Sequence, residues 1–539
     1  MKRFLPAVLL CIALAAIPSC NVKYFENAEF GDIIFDPSLA IPVGEITYTV
    51  SELFEELNDA GADILPNDEN VIQLNYQETL QSQSASTFLN IRDQSFSGSL
   101  AAGVNVSNPP VTTTLNVSEL FEFDLTQTSN ETYDSIFFSN GQFEFEASST
   151  FDADIDFTAT FISLVENDAP LVVTGSLPSG SSGFSQTESL VDYRGLFHLD
   201  DQGNPSSNKF LVRIEYTISV TTSSVITSGQ RINFDIGVND AAFERVYGNV
   251  GNQSLAVNFQ VVNFDFFRNF EAGNIAFADP KITFNFDNSF GFPLGIDFQE
   301  VSAIGPEGAI IPLEGDVVNS LQVVDGPTLA QEGQVIRSSI ELNKDNSNID
   351  VLLSSQPTKV IIEVEAGANP ANVPPVYNFV NDQSILDIGV VVEIPLDINL
   401  DQLIAEEQLD FNNSEDLDEA KRILFRINAE NELPLGGLVE LQFLDDQDNV
   451  VYTIDQRAAF DAAPVGVDGR TTEAALSTAD IQLEEEDIRA IENATSINVV
   501  ATLTTTDAAS NVAVKFFEDY ELKFKLSAQA DVEVNSGSN

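Results

Sequence analysis

The chain has 539 residues, with 84 acidic and 23 basic side chains and a formal net charge of −61. A body of that sign repels phosphate backbones and anionic lipid surfaces, which excludes nucleic-acid binding. Disorder is excluded as well, because 43% of the residues are hydrophobic and 40 are Phe, whereas disordered segments are poor in such side chains.

The first element in chain order is a targeting segment. Met1-Lys2-Arg3 is a short positive start, and Phe4 to Ile17 is an apolar run too short for a bilayer span of ~20 residues. Ile17-Pro18-Ser19-Cys20 follows. It resembles the bacterial lipobox, in which a small residue precedes a cysteine that becomes the lipidated N-terminus. The resemblance implies a signal peptide at 1–19 and lipid on Cys20, so that a membrane is the first expected partner. There are two cysteines, Cys11 and Cys20. Cys11 falls in the expected signal, so the remaining chain has no internal disulfide and no cysteine metal site. Losing Lys2 and Arg3 takes the net charge to −63. Asn21 stands where some lipoproteins carry an aspartate that retains them at an inner membrane. The expected address is therefore the outer membrane, with either face open.

Residues 20–95 form an N-terminal segment with one short helix, Glu52 to Ala60, capped by Ser51 and stopped at Gly61. Residues 96–270 read as a β-rich domain. Phe151, Ala153, Ile155, Phe157, Ala159 and Phe161 alternate with polar residues, as a half-buried strand requires. Phe210, Val212, Ile214, Tyr216, Ile218 and Val220 repeat the pattern. Leu177 to Ser185 and Asp201 to Asn208 are loops. Residues 271–365 and 376–539 read as two β-sandwich domains, with Val364 to Pro375 as a linker. In the second, Ile388 to Ile394, Ile497 to Leu503 and Tyr520 to Val534 alternate as strands. The last is long enough that a bulge or bend should interrupt it. Short helices are expected at Leu400 to Gln408 and Glu484 to Glu492.

The two sandwiches look like copies of one unit. Ile282, Phe284 and Phe286 alternate up to Asn288, before Pro293-Leu294-Gly295. Phe425, Ile427 and Ala429 alternate up to Asn431, before Pro434-Leu435-Gly436. A strand and a turn follow in both, closing at Gly308 and at Asn449. A weaker echo runs from Leu100 to Asn108-Pro109. This strand–Asn–Pro–strand unit resembles the water-stress domain of the late-embryogenesis-abundant type 2 family, which implies an immunoglobulin-like β-sandwich. The expected class is thus mainly β: serial antiparallel β-sandwiches with a few short connecting helices.

No residue set supports catalysis. His198 is the one histidine, and no Gly-x-Ser-x-Gly nucleophile motif accompanies it. Asp200-Asp201-Gln202-Gly203-Asn204 and Asp445-Asp446-Gln447-Asp448-Asn449 are oxygen-rich enough to suggest calcium, but ordinary β-turns explain them better. Asp134-Ser135-Ile136 resembles a short O-glycosylation site of exported Bacteroidota proteins. No cofactor is expected. The pattern of lipobox, acidic body and serial sandwiches resembles the cell-envelope lipoproteins of Bacteroidota. That resemblance implies a non-catalytic structural, adhesive or scaffolding role with further envelope proteins as partners. The alternatives are a carrier that holds lipid in an apolar sheet groove, and a calcium-dependent carbohydrate binder. The charge has a direct consequence: self-repulsion is screened once the Debye length falls below ~10 Å. The thermal midpoint should therefore rise between 0.01 and about 0.5 M NaCl, as scanning calorimetry can check.

Overall fold

The computed structural model describes residues 34–35, 38–53, 63–128, 130–180, 183–256, 260–263, 270–305, 308–371, 373, 376–411, 420–492, 494–532 and 534–535. The expected signal peptide, Cys20 and the frayed end at 536–539 lie outside them. Strands dominate. In chain order the principal ones are β1 (Ser38–Thr49), β2 (Ile72–Ser84), β3 (Gln94–Ala101), β4 (Thr113–Asp124), β5 (Thr132–Ser149), β6 (Ile155–Glu166), β7 (Ala169–Leu177) and β8 (Phe184–Ser189). They continue with β9 (Arg194–Leu196), β10 (Lys209–Val220), β11 (Arg231–Asn249), β12 (Phe270–Phe277), β13 (Lys281–Asn288), β14 (Leu294–Ile304), β15 (Ile336–Leu342), β16 (Lys359–Ala368) and β17 (Asn378–Asn381). The last are β18 (Ile385–Pro395), β19 (Asp397–Asp410), β20 (Ala420–Asn431), β21 (Leu435–Leu444), β22 (Val450–Phe460), β23 (Ala475–Glu484), β24 (Ser496–Thr505) and β25 (Glu521–Val532). The pairings among them are antiparallel, and the protein is mainly β.

Three modules result. In the first, two layers oppose each other, β8-β5-β11-β3 and β7-β6-β10-β4. The short β9 pairs with both β5 and β6, joining the layers into one ten-stranded sheet that also takes in β17. Alternation decides which side chains meet. Phe143 and Phe145 point inward from β5, while Glu144 and Glu146 point to water. Across the layer, Phe143 and Phe145 meet Phe161 at centroid distances of 4.7 and 5.5 Å. Phe96 meets Phe123 and Phe210 at 5.1 and 5.0 Å. Such pairs add about 0.5–1.5 kcal/mol each beyond their buried area. The abundance of Phe therefore has a structural use: the rings fill the space between the layers, where a lipid carrier would need an open groove.

The second module packs β15-β13-β18-β2 against a sheet built on β14 and β16, with Phe284 and Phe298 in contact at 5.0 Å. The third packs β1-β25-β20-β23 against β12-β19-β24-β21-β22, with Phe460 against Phe524 at 5.9 Å. Sheet pairing runs across the boundaries drawn from sequence. β1 and β2, from the segment 20–95, are strands of the third and second modules, and β12 joins β19. The crossing from β18 to β19 passes Leu396 into Asp397. Burial pushes the Asp397 carboxyl above its usual range, and the cations of Lys515 and Lys344 oppose that shift. Lys515 itself reaches Glu69 at 2.6 Å.

The internal repeat is visible atom by atom. β13 and β14 lie in opposite sheets of the second module, and β20 and β21 in opposite sheets of the third. Asn288 and Asn431 end the first strand of each pair, and both are fully buried. Asn288 Oδ1 accepts from Phe290 N–H, and its Nδ2 donates to the carbonyls of Phe292 and Asp325. Asn431 Oδ1 accepts from Leu433 N–H, and its Nδ2 donates to Leu433, Leu435 and Asp461. The backbone leaves its ladder at these corners, so an uncharged side chain that both donates and accepts must replace the missing partners. The echo at Asn108 differs: that side chain is exposed.

Three local expectations change. Leu400 to Gln408 is strand, not helix. Gln402 sits at φ 53° opposite Gly273 at φ 104°, and the register slips there. This bulge puts Leu400 and Leu403 on one side, a spacing of three that looks helical in the sequence. The helix after β1 is Val50–Leu53, and Thr49 rather than Ser51 caps it, exchanging hydrogen bonds with Glu52; residues 54–60 lie outside the described ones. The expected linker starts too early, since Val364 to Ala368 belong to β16. The helix Glu485–Ile491 is present, with a capping box between Glu484 and Asp487. Asn431→Ala should lower stability by about 3 kcal/mol, because buried groups lose their partner. Asn431→Asp should cost at least as much, since a carboxylate cannot donate to the carbonyls. The midpoint of urea unfolding reads both.

Candidate functional site

The residues singled out in the sequence do not converge. Cys20 lies outside the described residues. His198 is exposed on a bend after β9, where its carbonyl accepts from Ser206 N–H. The two acidic loops are one and the same hairpin turn. Asp200 N–H bonds Asn204 O, and Gly203 N–H, at φ 78°, bonds Asp200 O. Asp445, Asp448 and Asn449 repeat this, with Asp448 at φ 59°. It is a type I turn with a left-handed residue before the return strand. In both, the Asp carboxylate accepts from the backbone of the residues two and four along and from the Asn amide. Hydrogen bonds, with the Asn204 side chain for Asp200 and the Asn449 backbone for Asp445 first, hold both carboxyls below the usual range. The oxygens that suggested calcium are engaged by their own turns. Between Gly305, Gly308 and Ala309 the same two backbone bonds recur, with Gly308 at φ 81°, at the matching place in the first repeat copy.

The described residues do assemble one feature of unusual composition, on the outer face of the first module. Ile136 and Phe138 of β5 point into the core, so Ser135 and Phe137 point out. Phe137 is the register partner of Arg194 on β9 and of Arg245 on β11, and Arg245 is the partner of Asn381 on β17. These four side chains therefore form a row across four strands, in the order Arg194, Phe137, Arg245, Asn381. In the next row, Ser135 lies between Leu196 and Tyr247. The Arg245 guanidinium lies 4.4 Å from the Phe137 ring centroid and that of Arg194 5.5 Å. Tyr247 meets Phe137 edge-on at 6.0 Å and stacks on Tyr377 at 6.4 Å with 15° between planes. Tyr377 keeps 48% of its surface exposed.

Polar groups rim the rings. Tyr247 donates to both carboxylate oxygens of Glu332, at 2.8 and 2.9 Å. Arg194 Nη2 pairs with Asp168 at 2.7 Å, and Arg245 lies 3.5 Å from Glu244. Burial, reinforced by Asp134, pushes the Tyr377 hydroxyl up to about 12, and burial with Glu332 raises that of Tyr247. Both phenols thus stay protonated donors at neutral pH. On this face Arg194 Nε and Asn381 Oδ1 are closed to solvent and have no hydrogen-bond partner among the described residues, and Arg245 Nε, closed as well, has only its 3.5 Å ion-pair contact with Glu244 Oε1. Such atoms are costly to leave unpaired. What the arrangement leaves at the surface is mainly ring area, chiefly that of Tyr377. Sequence reading missed it because the four strands are far apart in the chain. Its local signals were the doublet Phe137-Phe138, which breaks alternation, and Arg245-Val246-Tyr247, which puts a cation and a ring on one face.

No protein-family model matches the chain, and no curated protein matches it. Among solved structures the chain is similar to a protein of Parabacteroides distasonis provisionally described as secreted, at 14% identity over 51% of this chain and 82% of that one, with a TM-score of 0.28. It is also similar to the infectious bursal disease virus structure from the Gx strain, at 8% identity over 90% and 89% of the two chains, with a TM-score of 0.15. TM-scores this low assign no family, ligand or activity. Among the described residues no helix is long and apolar enough to cross a membrane. The turn geometry gives a testable outcome. The folded carboxyls of Asp200 and Asp445 lie below the ~3.9 of an unfolded aspartate. Their contribution is complete above that value and lost as pH falls through the folded one. Asp200→Asn with Asp445→Asn should flatten the fall in thermal midpoint below pH ~4, while EDTA at neutral pH should leave the midpoint of the unaltered chain unchanged.

Proposed function

We propose that the chain is an envelope lipoprotein, tethered to the outer membrane by lipid on Cys20, with a non-catalytic scaffolding or adhesive role. The observation that carries this reading is how the chain continues from the expected anchor. The short strand Ile34–Phe35 pairs with Val534–Asn535, and β1 pairs with β25 from Ser38↔Asp531 to Thr49↔Glu521, so the strands that follow the expected anchor are built in beside the last strands of the chain's third module. A tether attached there loads a sheet and not a loose arm. The residues between Cys20 and Ser38 reach at most ~60 Å when extended, which keeps the third module near the membrane. The first module is joined to the rest elsewhere, through β17 on β11.

A non-catalytic role is supported by interiors filled with rings and by a candidate face that offers mainly ring area as contact surface. Growth with an alkyne fatty acid, followed by membrane fractionation, tests the anchor. The native chain should take up label and sediment with outer membranes, and Cys20→Ala should take up none. Unlabelled native chain, or label that persists in the variant, would overturn the reading.

A further inference from the structure

We propose that the open edge of β4 takes an extended strand from another envelope protein, one that sets a basic residue between apolar residues on one face. This rests on the scaffolding reading for its setting and names the surface the scaffold offers. β4 pairs with β10 from Thr113↔Val220 to Asp124↔Lys209 without a register shift. It ends its sheet, and on its other side no group among the described residues bonds its main chain. None of its 12 residues is buried, whereas seven of the 12 in β10 are. A free row of N–H and C=O groups is a template for a further strand. Proteins ordinarily spoil such rows with proline, lysine, bulges or covering groups, and the other long edges here are spoiled in those ways. β1 carries Pro42 and a register shift, β7 carries Pro170 and a shift, β22 slips three times, and β2 skips Leu80 in its ladder to β18. β23 is regular, but the Arg457 guanidinium bonds its Asp480 carbonyl. β4 has no proline, glycine, lysine or arginine and no bulge.

The side chains on this edge name the chemistry of the incoming strand. Leu115, Val117, Glu119, Phe121 and Phe123 oppose Ile218, Tyr216, Ile214, Val212 and Phe210 of β10, which are at most 2% exposed. All five therefore point to the core side of the layer. The four apolar ones are only partly covered, because no strand lies beyond them. A strand with apolar residues at alternate positions would complete their burial. Glu119 stands in the middle of that row, exposed and without a hydrogen bond or ion pair among the described residues. The other acids of the strand, Glu122 and Asp124, are both engaged by Lys209, at 2.9 and 2.6 Å. The residue set opposite Glu119 must be a cation. Opposite charges attract across a strand pair, whereas an acid there would repel the carboxylate and an apolar residue would strip it of water. A second copy of this chain does not fit, since β4 holds three acids and no base and each copy has a net charge of −61.

The test uses the full lipidated chain in detergent micelles. The probe is the fluorescent peptide Val-Thr-Val-Thr-Lys-Thr-Val-Thr-Val, whose order is the same from either end and so suits a parallel or an antiparallel approach. Its counterpart has Glu in place of Lys. Fluorescence anisotropy follows binding, and amide hydrogen exchange with mass spectrometry locates it. The Lys peptide should bind and slow exchange in Thr113–Asp124, and the Glu peptide should bind about tenfold more weakly. Glu119→Lys should reverse that preference, which a merely structural effect of the substitution would not do. Near-UV circular dichroism checks that the variant is folded. No binding of the Lys peptide up to ~1 mM, binding that leaves exchange in β4 unchanged, or a preference that survives Glu119→Lys would overturn the proposal. So would a dimer of the native chain, seen by sedimentation, whose β4 amides already exchange slowly. Label on Cys20 is read separately, so an intact label without peptide binding removes this edge and leaves the anchored scaffold standing.

Discussion

The structure depends on how the backbone is satisfied where it leaves a sheet. Each of the two repeated modules turns a strand from one sheet to the facing one, and at that corner several N–H and C=O groups lose their ladder partners. Burial forbids water as a substitute. Asn288 and Asn431 solve the problem with one side chain each, accepting from the residue two along and donating to carbonyls that include one from a distant strand, Asp325 or Asp461. An amide suits the position because it donates and accepts without charge. In so acidic a protein, a buried carboxylate at the corner would add repulsion as well as unsatisfied carbonyls.

The same device recurs beyond the repeat. Asn208, Asn378 and Asn399 are also buried. Asn208 donates to Glu131 O, Asn378 accepts from Val250 N–H, and Asn399 donates to the carbonyls of Ala508 and Val512. Asn378 begins β17, whose far end carries Asn381. The strand that docks the first module to the rest is thus fixed by a satisfied amide at one end and carries an unsatisfied one at the other.

Much of this architecture is legible in the chain. The inward faces of Phe151 to Phe161 and Phe210 to Val220 are buried as alternation requires, because a strand's side chains obey a local period of two. The repeat is legible because an Asn ends the alternating strand in both copies and the next turn closes 15 residues after Pro293 and after Pro434. Leu400 to Gln408 misled for an equally physical reason: a bulge at Gln402 gives strand residues a helical spacing, and it exists only because Gly273 on a distant strand lets the two backbones approach. The candidate face was not legible, since register, not spacing along the chain, sets Arg194, Phe137, Arg245 and Asn381 side by side.

By itself the sequence determined the class of secondary structure, the acidic exterior, the resemblance at Cys20 to a lipid attachment site and the paired corners at Asn288 and Asn431. All of these are local properties of composition, period or motif. Tertiary structure decided the rest: that β1 and β2 belong to different sandwiches, that the acidic loops spend their carboxylates on their own turns, and that two arginines and three aromatic rings share one face. Those outcomes depend on which strand lies beside which, and strand pairing is set by the burial of whole faces against one another.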